Sequence, residues 1–113
     1  MSGCYVLLLK DNNYYIGISR QVTVRLQSHA CAAIGLPDPK YGGRAGSKWT
    51  RLHPVVKIIE IIYGKNNLAF ENTKTLQYMK TYEISKVRGG RRHHPNLSHN
   101  SLIDIQSKLT SKI

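Results

Sequence analysis

Gly3 to Leu9 is a continuous run, GCYVLLL, apolar from Cys4 onward. A short polar stretch, Lys10 with Asp11-Asn12-Asn13, separates it from a second run, Tyr14 to Ile18, YYIGI. Two β-prone runs around a polar turn predict a hairpin. Asp and Asn suit that turn because they tolerate left-handed backbone. The first run has no polar face, so its strand is expected to be central and covered on both sides.

The rest of the chain supplies covering layers. Ser19 is the expected N-cap of a helix whose apolar stripe is Val22, Leu26, Ala30 and Ala33, with Arg25 and His29 four residues apart on a different face. Gly35 is its expected stop. Residues 36–54 read as one long Gly- and Pro-rich loop. Val55 to Tyr63, VVKIIEIIY, is rich in β-branched residues and predicts a third strand. Asn66 or Asn67 caps a second helix with Leu68, Asn72, Thr75, Leu76, Met79 and Glu83 along one side. Residues 86–95, KVRGGRRHHP, read as a basic turn-rich stretch, and Leu102, Ile105 and Leu109 predict a short terminal helix within 97–113. The order is β-β-α-β-α with a further C-terminal helix. A chain of 113 residues holds one domain of this kind. Its core is expected over 1–92, with a basic and polar extension over 93–113.

Charge narrows the function. Lys and Arg number 17 against 6 Asp and Glu, a formal charge of +11. Such a field favours a polyanion, with nucleic acid first among polyanions. No apolar run reaches membrane-spanning length, and no basic segment leads into a long apolar one, so no membrane contact and an intracellular location, nuclear or cytoplasmic, are expected. Cys4 and Cys31 form no disulfide framework or CxxC motif and read as small hydrophobes. The five histidines and two cysteines lack zinc-site spacing. Walker and GxSxG motifs are absent.

A set of residues suits phosphodiester chemistry. Tyr5 and Tyr15 stand in the two strands of the hairpin. Strand tyrosines ordinarily pack, but Gly17 in the second strand marks close approach of a ligand or backbone. Arg25 can stabilise charge on a phosphate. Tyr5 or His29 can accept or position a proton. Glu71 opens the second helix, where an acid favours the dipole, and a carboxylate there can equally hold a hard divalent cation.

Gly3-Cys4-Tyr5 and Tyr15-Ile16-Gly17, followed by Arg25, His29 and Glu71, resemble the GIY-YIG endonuclease family. The first motif reads GCY, with Cys4 at a usually aliphatic position. The second is intact. The resemblance runs from about Gly3 to Gly90. It implies an α/β (α+β) domain, a three-stranded antiparallel sheet flanked by helices. It also implies divalent-metal-dependent DNA cleavage, with Mg2+ or Mn2+ on Glu71, Arg25 on the scissile phosphate, Tyr15 beside it, and Tyr5 or His29 as proton acceptor. Segment 42–56, GGRAGSKWTRLHPVV, is similar to structure-specific members, and KVRGG to viral and mobile-element members. Members commonly carry an Asn late in the core. Here that region is Arg88-Gly89-Gly90, and the next asparagine is Asn96.

Lys40, Arg44, Lys48 and Arg51 flank Trp49 in the long loop, and Arg88, Arg91 and Arg92 follow the second helix. Basic residues around an aromatic suit a DNA backbone and a stacked base. A protein partner or a homodimer would supply specificity the chain itself does not show. A rival reading, a non-catalytic nucleic-acid-binding module with the same fold, predicts binding without cleavage.

Overall fold

β1 (Gly3–Leu9) pairs on one side with β2 (Asn13–Ser19) and on the other with β3 (Val55–Tyr63), both antiparallel. The computed structural model describes residues 1–110. The hairpin register pairs Tyr5 with Gly17 and Leu7 with Tyr15. Its turn has Asp11 and Asn12 at φ near +60°, as the turn chemistry requires. β1 is buried along nearly its whole length, confirming it as a central strand.

Side chains alternate across β1, so each face seeds its own cluster. Cys4 and Val6 join Ile16, Met79, Val87 and Ile105 on one face. Tyr5, Leu7 and Leu9 join Tyr15, Val22 and Trp49 on the other. α1 (Val22–Ala33) and α2 (Lys48–Leu52) contribute to the second cluster. α3 (Leu68–Tyr82) and α4 (His99–Thr110) contribute to the first. Asn67 caps α3, its Oδ1 accepting from Phe70 N at 2.8 Å.

Four features differ from the sequence expectation. The sheet has four strands, in the order β3-β1-β2-β4, and is mixed. The fourth, β4 (Val87–Gly89), lies inside the basic stretch and pairs in parallel with β2, Tyr14 to Val87 and Ile16 to Gly89. A Cβ on Gly89 would stand 2.5 Å from the Ile16 carbonyl and 2.7 Å from Thr75 Oγ1, so only glycine lets this strand close. The long loop contains α2, begun by a capping box between Ser47 and Thr50. α1 starts at Val22 after Gln21, and Ser19 Oγ accepts from Gln21 N ahead of the helix. Finally, α1 turns His29 inward while Ala30 is exposed, so the Arg25–His29 face meets the sheet.

The expected C-terminal helix is α4, and the last three residues of that expectation, 111–113, lie outside the described residues. Ile105 of α4 is fully buried in the same core as β1, and Asp104 pairs with Arg92 at 2.8 Å. Ile105→Ala should therefore lower global stability by about 2–5 kcal/mol in urea unfolding. A single transition with an unchanged midpoint would show α4 to be a dispensable appendage.

Candidate active site

Four sequence-predicted residues meet between β1, β2 and α1. Tyr5 and His29 are each 1% exposed. The Tyr5 hydroxyl lies 2.8 Å from His29 Nε2. Tyr15 packs on the same imidazole, with ring centroids 5.3 Å apart, and lies 6.4 Å from the Tyr5 ring. Gly17 stands opposite Tyr5, and a Cβ there would run into the Tyr5 hydroxyl. The missing side chain is thus what allows the phenol its place.

Arg25 stands one helical turn before His29. Its guanidinium is half-buried and donates over long distances of 3.4 Å to Ser28 Oγ and to the Gly46 carbonyl. These weak contacts leave its charge available to another acceptor. Ser28, buried, accepts from Gly46 N at 2.9 Å and donates to Asp38 at 2.7 Å, so it ties the loop after α1 to the site.

Glu71 lies in the first turn of α3 and is 7% exposed. Among the described residues no lysine or arginine forms an ion pair with it. Burial raises its pKa above the usual carboxylate range, while backbone N–H groups of Gly90 and Ile18 pull it down. Its charge is felt at both Tyr5 and Tyr15, which places it in the same field. A largely desolvated carboxylate without a cation is poised for a hard metal ion, since such ions take few protein oxygens and complete their shell with water and phosphate. The described residues contain no cluster of three acidic, His or Cys ligands. Glu71 thus suits a single-carboxylate site, and the fit to Mg2+ or Mn2+ rests on that chemistry.

Electrostatics divide the proton acceptors. Burial drives the Tyr5 phenol far above its ordinary value, with Tyr15 adding to the shift and Arg25 opposing it. Tyr15 is raised by burial as well. His29 moves the other way, pushed down to about 3 by burial first and by Arg25 second. At neutral pH the phenol is protonated and the imidazole neutral, the charge states a Tyr-to-His hydrogen bond needs.

The family model of the GIY-YIG catalytic domain matches residues 1–83. The chain belongs to the GIY-YIG family. No curated protein and no solved structure matches it significantly. A GIY-YIG domain is a nuclease domain, and that general activity suggests DNA as substrate.

The expected DNA-facing residues of this GIY-YIG chain separate into two groups. Lys40, Arg44, Lys48 and Arg91 are exposed, and Arg51 is half-buried with one donor on the Ala45 carbonyl. Arg44, Lys48 and Arg51 line one cleft of about 350 Å3; Arg25 and Lys40 line another of about 290 Å3. Trp49, Arg88 and Arg92 lie inside instead. Trp49 Nε1 donates to the Tyr14 carbonyl at 2.9 Å. The Arg88 guanidinium stacks 4.5 Å above the Trp49 ring and donates to the carbonyls of Ile84, Val87, His94 and Pro95. Arg92 is held by Asp104. Trp49 and Arg88 pack together at the sheet's β4 end, with the Arg88 donors on those carbonyls, while the mostly buried Arg92 is oriented by Asp104.

Sequence reading missed Ser28, Gly46, Thr50 and Asn72. Asn72 follows Glu71 on α3, and its Oδ1 accepts from Arg91 N at 2.9 Å. It fastens the Gly90–Arg91 turn beside Glu71, whereas Asn96 lies in the following loop and bonds with His94. Position 72 was visible only as one helical residue among several, with no motif to mark it.

Two outcomes follow for stability. Because the folded state keeps His29 neutral down to about pH 3 while the unfolded chain protonates it near 6.5, its contribution is intact above pH 6.5 and is lost as pH falls toward 3. The stability gap between wild type and His29→Asn should shrink from pH 7 to pH 4 in urea titrations. Arg88→Ala should cost roughly 3 kcal/mol by stranding buried carbonyls, whereas Arg44→Ala should change stability by no more than about 0.5 kcal/mol.

Proposed function

We propose that this GIY-YIG chain is a divalent-metal-dependent DNA endonuclease that hydrolyses phosphodiester bonds through the Tyr5–His29 pair. The observation that supports the reading is the 2.8 Å contact between a protonated phenol and a neutral imidazole, near a weakly engaged arginine and in the field of Glu71, a buried carboxylate with no ion-pair partner among the described residues.

Arg25 receives the scissile phosphate and offsets the charge that grows on it. That contact also changes the base. Arg25 is one of the two causes that depress His29, so a phosphate paired with Arg25 cancels part of its field and makes the imidazole a better proton acceptor. Tyr5 orients the attacking water and passes its own proton to His29 Nε2 as it takes one from the water. Tyr15 walls the site and shields it from bulk solvent. When bound, Mg2+ or Mn2+ on Glu71 supplies Lewis-acid stabilisation of the phosphoryl oxygens. Lys40, Arg44, Lys48 and Arg91 hold the flanking backbone.

The test is cleavage of labelled duplex, single-stranded, flap, fork and four-way-junction DNA with Mg2+ or Mn2+. Glu71→Gln should lower cleavage by about 10²-fold or more and leave binding intact. If about six phosphates are neutralised, the slope of log affinity on log salt should lie near −5, and Lys48→Ala should reduce it by about one. Metal-independent binding with no cutting of any substrate would favour the non-catalytic module instead.

A further inference from the structure

His29 has two ring nitrogens, and the proposed proton transfer works with only one of the two neutral tautomers. Nε2, facing Tyr5, must carry the lone pair. The other nitrogen, Nδ1, lies 3.0 Å from Thr50 Oγ1. Thr50 is fully buried, and no other contact to Nδ1 competes with it among the described hydrogen bonds. What Thr50 can do there follows from its own partners. Its Oγ1 accepts from Ser47 N at 2.8 Å and lies 3.1 Å from Ser47 Oγ and 3.2 Å from the Ser47 carbonyl, both of which can accept its proton. A hydroxyl has one proton and two lone pairs. Ser47 N–H takes one lone pair, and the proton turned to Ser47 has two acceptors there, its hydroxyl and its carbonyl. In that arrangement the second lone pair faces His29, which donates to it from Nδ1.

We propose that Thr50 is a positioning residue that, through the α2 capping box, holds His29 as the Nδ1–H tautomer with Nε2 open to the Tyr5 proton. This assignment rests on the nuclease reading for its consequence but not for its geometry. Gly46 is part of the device. A Cβ at this position would stand 2.7 Å from Thr50 Oγ1 and 3.4 Å from His29 Nδ1, and the residue sits at φ +71°, a conformation that favours glycine. Ser47, next in sequence, supplies both backbone groups that occupy the hydroxyl. Loop, helix start and imidazole thus share one hydrogen-bonding centre. The groups facing His29 are Tyr5 and Tyr15 from the hairpin, Arg25 from its own helix and Thr50 from α2.

The proton path balances. Water gives its proton to the Tyr5 oxygen as its own oxygen bonds to phosphorus. The Tyr5 O–H bond breaks, and its proton forms the Nε2–H bond. His29 becomes the imidazolium with Nδ1–H still on Thr50, and the P–O bond breaks with its electron pair on the sugar oxygen, which takes up a proton from solvent water.

The experiment has two readouts. The first is 15N NMR of histidine-labelled protein without DNA or metal, which reads the tautomer whether or not the chain cleaves. Wild type should show His29 protonated at Nδ1. Thr50→Val, which removes the acceptor and nearly keeps the shape, should lose that preference, and Thr50→Ser should restore it. The second is single-turnover cleavage. Thr50→Val should slow the chemical step by about 10–100-fold with DNA affinity unchanged, and Thr50→Ser should recover most of the rate. A wild-type His29 protonated at Nε2 would overturn the proposal, as would a folded Thr50→Val protein with tautomer and rate unchanged. Should Thr50→Val fail to fold, the wild-type tautomer and the Thr50→Ser rate still decide. An inactive wild type with the Nδ1–H tautomer would count against the nuclease reading alone.

Discussion

The burial of β1 on both faces is the constraint on which the rest of this molecule depends. A strand with no polar face cannot lie at a surface, so β2 and β3 must flank it and helices must cover it above and below. The consequence for the site is direct. Tyr5 is an in-pointing residue of that buried strand, and its phenol can find a hydrogen-bond partner only from a covering helix. His29 of α1 is that partner, and the Arg25–His29 face of α1 faces inward for that reason, although its apolar content alone would have turned Ala30 to the core. Packing and chemistry are therefore set by the same contact.

The strong positive charge is not spread evenly between structure and function. Arg88 and Arg92 are spent inside, one on four backbone carbonyls and the Trp49 ring, the other on Asp104. A buried guanidinium stacked on an indole keeps its donors satisfied without a carboxylate, since the fork of N–H groups can serve several carbonyls at once. Of the cations at the surface, Lys40, Arg44 and Lys48 lie along residues 36–54 and Arg91 beside the Gly90 turn. They lie on the segments that also position Glu71, through Asn72, and His29, through Gly46 and Thr50. Under the proposed function, a phosphate backbone drawn to these cations is thereby drawn to Arg25 and the Tyr5–His29 pair.

Much of this was legible along the chain. The hairpin, its Asp11–Asn12 turn, the third strand, the Asn67 cap and the terminal helix all declare themselves within a few residues. So did Tyr5, Tyr15, Gly17, Arg25, His29 and Glu71, because two tripeptides in order with spaced polar residues form a specific pattern. β4 did not. Three residues inside an Arg- and Gly-rich stretch carry no periodicity, and their strand exists only because Gly89 lets them lie against Ile16 and Thr75. The capping box of α2 was hidden in the same way within a Gly- and Pro-rich loop.

Sequence by itself determined the set of elements, the two-faced central strand, the basic character and the family. Those follow from local turn chemistry, side-chain alternation and a motif, each readable over a short stretch. Tertiary structure alone decided which arginines face solvent, that Trp49 is a core residue, that Glu71 is buried with no ion-pair partner among the described residues, and that Thr50 meets His29. Each of these is a contact between residues distant in sequence, such as Trp49 with the Tyr14 carbonyl or His29 with Thr50. Hydrogen-bond satisfaction in a buried space is a property of who is near whom, and no local pattern encodes it.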